Sequence, residues 1–387
     1  MDKIKAAVVG LGRIASLLEE DSLREKPCTH TGAITENPDC VLAAGCDIDE
    51  ERRRQYSEKW QVPVYADASE MIRIHKPQIL VIATHPDSHY HYCRLAAQNK
   101  VPLVICEKPL ADTIQDARKI AGLEKNGLII ITNHERRYSA DYIRAKEILA
   151  ASVSGTDSRL GKLLCVNAKI YMGKTRRLLD VFWHDATHLA DAIMFLTNMV
   201  LKHKRRYGAK LTQRNGTAWL ESVLIFRKIP HAKTQRRKGD NKSRIGENKK
   251  LKEEKFVDNL NEMVINSALK QQTPNPKPLT LIPVQIELGA GRDHLVFEME
   301  FSCEKGRLRI GNGVFEIWES SPSTYAENFR SLKKSDETFK GLTGYFSNMV
   351  KDAVLCLREP GRQPCSSAID GLRVIEYLNS VKSWKFS

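Results

Sequence analysis

The sequence lacks the long apolar run that a membrane-spanning helix needs. No apolar stretch reaches the roughly 18 residues required, so we expect no transmembrane segment. The opening residues Met1–Lys5 run directly into an apolar strand pattern, without the apolar stretch or small-residue site of a cleavable signal peptide. These absences lead us to expect a cytoplasmic protein.

Closely paired cysteines are also missing. The chain of 387 residues has nine cysteines, and no two of them stand at C-x-x-C spacing. An odd, scattered set is typical of reduced thiols and provides neither a disulfide framework nor a zinc framework. We therefore predict that the protein holds no metal ion.

The excess of basic residues is confined to one segment. The net charge is +14, and residues 202–255 contain 18 lysines and arginines against five acidic residues. A nucleic-acid role is one interpretation of this segment. Because its lysine-rich part, 228–255, has almost no aromatic side chains to stack on bases, we favour a solvated loop insertion and expect no nucleic-acid partner.

What the first third of the chain does contain is an alternation of strand and helix patterns. Short apolar runs alternate with helical stretches, which predicts parallel strands joined by helices. The predicted strands are 3–10, 41–47, 77–83, 101–106 and 128–132, and the predicted helices are 11–20, 50–60, 89–99 and 112–125.

The pattern changes after about residue 133, where longer strands and separate helices indicate an antiparallel or mixed sheet. The predicted strands are 162–172, 218–226, 284–288, 294–303, 306–310 and 314–318, and the predicted helices are 139–151, 184–197, 341–357 and 367–383. We predict an α/β protein, with a Rossmann doubly wound parallel sheet over 1–132. An α+β domain with an open, mostly antiparallel sheet follows over 133–387 and carries the basic loop insertion.

A glycine turn follows the first predicted strand. The first glycine permits a tight turn, the second lets a pyrophosphate approach the backbone, and the small third residue lets the helix pack on the strand. The N-terminus of the helix would then face the phosphate charge. The residues predicted to bind a dinucleotide here are Gly10, Gly12, Arg13, Ile14 and Ala15.

An acidic residue ends the second predicted strand. Asp47 is placed to hydrogen-bond the adenosine ribose, and its charge would repel the 2′-phosphate of NADP. Because Ile48 supplies no compensating cation, we predict NAD as the cofactor. The arginines at 52–54 keep NADP as the alternative.

Two further motifs carry candidate chemistry. Glu107 and Lys108 follow a predicted parallel strand, where ligands gather, and a lysine there can donate a proton or anchor a hydroxyl. On a later helix pattern, His184, His188 and Asp191 are spaced to share one face, which suits acid–base chemistry. A zinc site and histidines packed in the core are the alternatives for that helix.

Together these motifs resemble the Gfo/Idh/MocA family (glucose–fructose oxidoreductase, inositol dehydrogenase and MocA). The glycine turn matches the family's G-x-G-x-x-A, and Glu107–Pro109 matches its E-K-P signature. Residues Asn133–Tyr138 match the stretch after its last Rossmann strand, and His188–Asp191 match the H-x-x-D of its active-site helix. Residues Ser366–Val381 look like its C-terminal helix.

The resemblance implies hydride transfer between NAD(P) and a hydroxyl-bearing carbon of a sugar, polyol or sugar derivative. It implies that Lys108 contacts the reacting hydroxyl, that His188 is the acid–base group, and that Arg137 and Asp191 bind substrate. It also implies a homo-dimer or homo-tetramer formed through the second sheet. The residues that would lie beside the cofactor are Thr84, Pro86, His89, Glu107 and Lys108.

One position departs from the family pattern. Many members carry an aspartate four residues before the helix histidine, and here that position is His184. Either Asp185 replaces the carboxylate or His184 changes the proton chemistry, so both are candidate catalytic residues. Two other functions stay open: a redox-neutral eliminase or epimerase that keeps NAD tightly bound, and a regulatory NAD-binding protein that has lost catalysis.

Overall fold

The computed structural model describes residues 2–155, 159–208, 216–226 and 281–383. The predicted loop insertion at 228–255 lies outside these residues. Within the described ranges, no helix is both long enough and apolar enough to cross a membrane.

Six parallel strands form the first sheet. They are β1 (Ile4–Val9), β2 (Cys40–Cys46), β3 (Val64–Tyr65), β4 (Ile79–Ile82), β5 (Leu103–Cys106) and β6 (Ile129–Thr132). Their order is β3-β2-β1-β4-β5-β6, so the order reverses between β1 and β4, where open parallel sheets bind their ligands. Strands β4 and β5 are buried throughout because helices cover both faces, and the predicted parallel sheet is confirmed.

Helices pack on both faces of this sheet. They are α1 (His30–Glu36), α2 (Glu50–Trp60), α3 (Ala68–His75), α4 (His89–Gln98) and α5 (Ile114–Leu123), with short 3-10 helices at Leu17–Glu20, Pro86–Ser88 and Glu124–Asn126. Successive residues of β1 enter opposite cores, because side chains alternate along a strand. Ala7 and Val9 pack with α3, α4 and α5, whereas Ala6 and Val8 pack with α1 and α2.

The predicted helix at 11–20 is wrong. The chain makes one helical turn after the glycines, a 3-10 helix and an excursion before α1 begins. The side chain of Thr29 caps α1 by accepting from the Gly32 amide, which sets the later helix start. The amide of Thr31 donates to the carbonyl of Ala15 at 3.0 Å, so α1 resumes the course of the glycine turn.

The second sheet follows a helix and has eight strands. Its elements are α6 (Ala140–Ser154), β7 (Leu163–Gly173), α7 (Leu178–Asp180), a π-helical turn (Val181–Asp185), α8 (Ala186–Thr197), β8 (Met199–Gly208), β9 (Gly216–Phe226), β10 (Ile282–Arg292), β11 (Val296–Cys303), β12 (Gly306–Gly311), β13 (Val314–Pro322) and β14 (Arg330–Lys334). The order is β14-β13-β12-β11-β7-β10-β9-β8. The pairing of β7 with β10 is parallel and the others are antiparallel, which confirms a mostly antiparallel sheet. The edge strands β8 and β14 were not predicted, because basic residues interrupt their apolar patterns.

Two C-terminal helices return to the first sheet. They are α9 (Tyr345–Arg358) and α10 (Ala368–Ser383). In α10, Ile375 enters the core of the first sheet, whereas Tyr377 and Leu378 enter the core of the second. Both sheets therefore lie in one compact unit. The domain boundaries, 1–132 and 133–387, stay a prediction.

Candidate active site

The glycine turn lies at the carboxyl end of β1, against the end of β4. Gly10 has a φ of +85°, and a Cβ at this position would lie 2.7 Å from the carbonyl carbon of Ala83. Only glycine fits this close approach without strain. At Gly12, in contrast, a Cβ would meet nothing within 4 Å, so open space lies in front of the second glycine.

Asp47 packs against the glycine turn. Its Oδ2 accepts a hydrogen bond of 2.8 Å from the Leu11 amide, and its Oδ1 accepts one of 3.0 Å from the Asp49 amide. The guanidinium of Arg52 lies 3.7 Å from Oδ2 and is half exposed. The carboxylate thus borders the turn at the position predicted for ribose binding, with a cation beside it.

The loop after β4 holds the next predicted cofactor residues. Thr84 and Pro86 are partly exposed, and the Thr84 methyl lies 2.9 Å from the Cβ position of Gly10. The ring nitrogens of the buried His89 lie 3.2 Å from the carbonyl oxygen of Leu110 and 3.1 Å from that of Thr84. Burial lowers the pKa of His89. His89 thus joins two loops, and its contact with a cofactor stays a prediction.

Glu107 is buried beneath the loop that carries Lys108. Its Oε1 lies 2.7 Å from Nε2 of His30 and accepts from the Asn133 amide at 2.5 Å, while its Oε2 accepts from the Lys108 amide at 3.2 Å. Burial alone would raise the pKa of Glu107, but its contacts with His30 and Asn133 and the charge of Lys108 lower it. Glu107 is therefore a charged buried anchor for the loop.

Lys108 joins the first sheet to the helices of the second. Its Nζ donates a hydrogen bond of 3.2 Å to the carbonyl oxygen of His184, which also accepts from the Thr187 hydroxyl at 2.9 Å. His184 lies in the π-helical turn Val181–Asp185, a rare feature that is frequent at functional sites. The carbonyl of His184 thus contacts Lys108, and the predicted common face of His184, His188 and Asp191 stays a prediction.

Asp185, the last residue of the π-helical turn, is buried. Its Oδ2 has no hydrogen-bond partner among the described residues, and Nε of Arg176 lies 4.0 Å away. Burial raises the pKa of Asp185, and the charges of Lys108 and Arg176 partly offset that effect. The structure thus places a carboxylate in the field of Lys108 with one oxygen available.

His188 contacts a cation that sequence reasoning did not select. Its Nδ1 lies 2.9 Å from Nη1 of Arg136 and 3.8 Å from Oε1 of Glu135. Burial, followed by the positive charges of Lys108, Arg136 and His134, lowers the pKa of His188 well below its usual value. The ring is therefore neutral at physiological pH.

Arg137 and Asp191 are buried and bind each other. Nε and Nη2 of Arg137 donate to Oδ1 of Asp191 at 2.9 and 2.8 Å, and Nδ1 of His134 lies 3.1 Å from that oxygen. Nη1 of Arg137 also contacts Asp370 at 3.2 Å. Burial would raise the pKa of Asp191, but the neighbouring cations lower it below its usual value. Direct substrate binding by Arg137 and Asp191 stays a prediction.

Sequence reasoning chose Arg137 and missed its neighbour Arg136. Both lie in the 3-10 turn Glu135–Tyr138, which sends Arg137 into the interior and Arg136 onto His188. No sequence signal separates two adjacent arginines without that turn geometry. His30 was missed because it lies after the excursion, far along the chain from Glu107.

Comparison with known proteins supports the same architecture. Residues 4–134 match the family model described as "Oxidoreductase family, NAD-binding Rossmann fold" (GFO_IDH_MocA). The matched segment contains the whole first sheet and the loop that carries Lys108.

Curated relatives match part of the chain. An inositol 2-dehydrogenase from Rubrobacter xylanophilus is 31% identical over 120 residues, which are 30% of this chain and 34% of the relative. An inositol 2-dehydrogenase from Salmonella paratyphi B is 26% identical over 211 residues, which are 53% of this chain and 57% of the relative. The chain therefore spans a third to somewhat over half of the length of these relatives.

Solved structures match over nearly the full length. A dehydrogenase from Chromobacterium violaceum has a TM-score of 0.68 at 14% identity and covers 99% of this chain and 95% of its own. The WlbA dehydrogenase from Bordetella pertussis, solved with NADH and UDP-GlcNAcA, has a TM-score of 0.63 at 18% identity and covers 98% of this chain and 95% of its own. At these identities the matches show a shared fold.

The two glycines give a matched pair of variants. Gly10→Ala places a Cβ against Ala83 at a positive φ, so we expect it to lower the free energy of unfolding by about 1–3 kcal/mol. Gly12→Ala has room for its Cβ and should unfold like the native protein, but it should weaken NAD binding at least about tenfold by blocking the pyrophosphate. Thermal unfolding and NAD titration measure both effects, and NAD affinity unchanged in Gly12→Ala would contradict this assignment.

The ion pair of Arg137 with Asp191 gives a test of stability. Asp191→Asn leaves the buried Arg137 charge without its partner, so we expect the free energy of unfolding at neutral pH to fall by about 3–5 kcal/mol. The pKa of Asp191 is lower in the folded than in the unfolded protein. In the native protein, the contribution of this carboxylate to the free energy of unfolding is therefore fully present above the unfolded-state pKa, and it is lost as the pH falls through the folded-state pKa. The exposed Asp293→Asn is the control and should unfold like the native protein. Unchanged stability with a raised KM in Asp191→Asn would instead indicate substrate binding.

Proposed function

We propose that this chain, whose residues 4–134 match the NAD-binding Rossmann model of the GFO_IDH_MocA oxidoreductases, transfers a hydride between NAD and a hydroxyl-bearing carbon of a sugar, polyol or sugar derivative. One contact carries the proposal: Nζ of Lys108 reaches the carbonyl of His184 at 3.2 Å. This contact brings the carboxyl edge of the parallel sheet together with the helix of His188. The contact supports a site in which the cofactor-binding edge and His188 lie close together.

The residues at the glycine turn fit a dinucleotide. The open space at Gly12 accommodates a pyrophosphate, and Asp47 borders the turn where a ribose diol would bind. The Asp47 charge disfavours a 2′-phosphate, so we propose NAD in preference to NADP, although Arg52 lies beside it. When bound, the nicotinamide supplies the acceptor or donor of the hydride.

The substrate end of the site is rich in hydrogen-bond donors. Lys108 and His188 flank the reacting oxygen in our proposal, and the buried Asp185 lies in the electrostatic field of Lys108. Arg137 and Asp191 hold the helix of His188 in place through their ion pair. The close arrangement keeps the reacting groups oriented before substrate binds.

A carbohydrate-like substrate is supported by the names of the relatives. Two are inositol 2-dehydrogenases, and another, from Paraburkholderia graminis, is a D-apiose dehydrogenase that is 34% identical over 99 residues. We extend that substrate class to this chain as a proposal. A cytoplasmic location and the expectation of no nucleic-acid partner stay predictions.

Turnover tests the proposed function. Purified protein is screened against inositols, sugars, sugar acids and nucleotide sugars. The readout is the absorbance of the reduced cofactor, with NAD and NADP compared side by side. Lys108→Met and His188→Ala should each lower kcat by about 10²–10⁴-fold, with little change in the dissociation constant of NAD, because both act at the substrate end.

Two other results would indicate a different function. NAD that stays bound through gel filtration, with no release of NADH, would indicate a redox-neutral enzyme. Binding of NAD without turnover of any substrate in the panel would indicate a regulatory protein. Failure to bind NAD would contradict the proposal outright.

The open face of the second sheet supports a homo-oligomer. Helices α6 and α8 cover one face, and the other face carries the half-exposed Trp219 with Lys169, Glu287 and Glu298 around a shallow depression. We propose a dimer or tetramer through this face.

Light scattering should then give a molecular mass that is a multiple of the 43.9 kDa chain mass, and Trp219→Glu should lower the measured mass toward that of the monomer. A native mass of one chain would contradict the proposal.

A further inference from the structure

The contact of His188 with Arg136 fixes which ring nitrogen carries the proton. A guanidinium has N–H donors and no acceptor, so Nδ1 of His188, 2.9 Å away, must accept. A ring whose Nδ1 accepts is neutral and has its single proton on Nε2. The geometry therefore selects one of the two neutral tautomers of His188.

The guanidinium of Arg136 is itself held in place. Its central carbon lies 3.8 Å from the ring centre of Phe297, in a cation–π contact, and Nη1 lies 3.0 Å from Oε1 of Glu135. The arginine side chain is 15% exposed, and arginine stays charged at all physiological pH values. A fixed cation thus faces Nδ1.

The charges around the ring oppose a second proton on His188. Arg136 and Glu135 face it from the 3-10 turn, Lys108 faces it from the loop after β5, and His134 also acts on it electrostatically. Glu135 is the one acidic group in that set, at 3.8 Å, and the cations with burial outweigh it. The imidazolium form is therefore disfavoured.

We infer that Arg136 is a positioning residue that holds His188 as a neutral Nε2–H donor toward the substrate oxygen, and that Lys108 moves the proton. This inference rests on the proposed function. A carboxylate at Nδ1 would favour the opposite tautomer, with Nε2 free as a base. This chain has His184 four residues before His188, where many family members have an aspartate, and it has the cation of Arg136 on Nδ1.

The step balances without a proton leaving His188. In oxidation, the proton of the substrate O–H would pass to the amine form of Lys108, while a bound nicotinamide would accept the hydride from the same carbon. In reduction, the carbonyl oxygen takes a proton from the Lys108 ammonium as the carbon receives hydride. In both directions the Nε2–H bond stabilises the negative charge that develops on oxygen.

Nitrogen-15 NMR of the histidine side chains tests the tautomer without any substrate. In the native protein, the His188 signals, assigned by their loss in His188→Gln, should show a protonated Nε2 and an unprotonated Nδ1. They should not titrate between about pH 5 and pH 8. In Arg136→Gln the side-chain amide can either donate or accept, so Nδ1 should no longer be held unprotonated and the signals of both neutral tautomers should appear. A protonated Nδ1 in the native protein, or an imidazolium near neutral pH, would overturn the inference.

Two substitutions of His188 test the donor role in turnover. A glutamine amide can donate a hydrogen bond but cannot take a proton, so His188→Gln should keep at least about tenfold more kcat than His188→Ala. Equal losses in the two variants would indicate a general base and contradict the donor role. In Arg136→Gln, kcat should fall more than KM rises, whereas Arg136→Lys, which keeps a cationic donor, should retain more of kcat.

Failure of the inference is distinguishable from failure of the proposed function. The NMR experiment reads the protonation of the ring in the whole chain and needs no turnover. If no substrate is found, the tautomer is still measured. If turnover is found but the tautomer is the opposite one, the proposed hydride transfer is supported and the proposed role of Arg136 is contradicted.

Discussion

The hydrogen bond from Lys108 to the carbonyl of His184 is the contact on which the proposed site depends. It joins the loop after β5, at the carboxyl edge of the parallel sheet, to the π-helical turn that precedes α8. Buried Glu107 anchors the main chain of Lys108 from below, and the ion pair of Arg137 with Asp191 holds helix α8 from the other side. In the proposed site, these two supports hold Lys108 and the helix of His188 in place.

Buried charge divides the carboxylates near this site into two kinds. Asp191 is satisfied by Arg137 and His134, and its pKa is lowered below the usual value. Asp185 keeps an oxygen without a partner among the described residues, and burial raises its pKa. The two carboxylates therefore have opposite environments: Asp191 is paired with cations, and Asp185 keeps that unpaired oxygen in the field of Lys108.

Much of this architecture is predictable from the sequence, because strand and helix periods follow from burial. The parallel sheet, the glycine turn and the position of Lys108 at the carboxyl edge of β5 all follow from apolar runs and their ends. The split of the first helix does not, because its return contact, from Thr31 to Ala15, joins residues across an excursion. The choice between Arg136 and Arg137 depends on side-chain direction in a short 3-10 turn, which no periodicity encodes.

The most direct test of the central claim is a crystal structure of the protein with NAD bound. We expect the pyrophosphate of NAD to lie against Gly12 and the adenosine ribose to contact Asp47. We also expect the reactive face of the nicotinamide to point toward the space between Nζ of Lys108 and Nε2 of His188. A nicotinamide that points away from both side chains, or a dinucleotide bound elsewhere on the chain, would contradict the account.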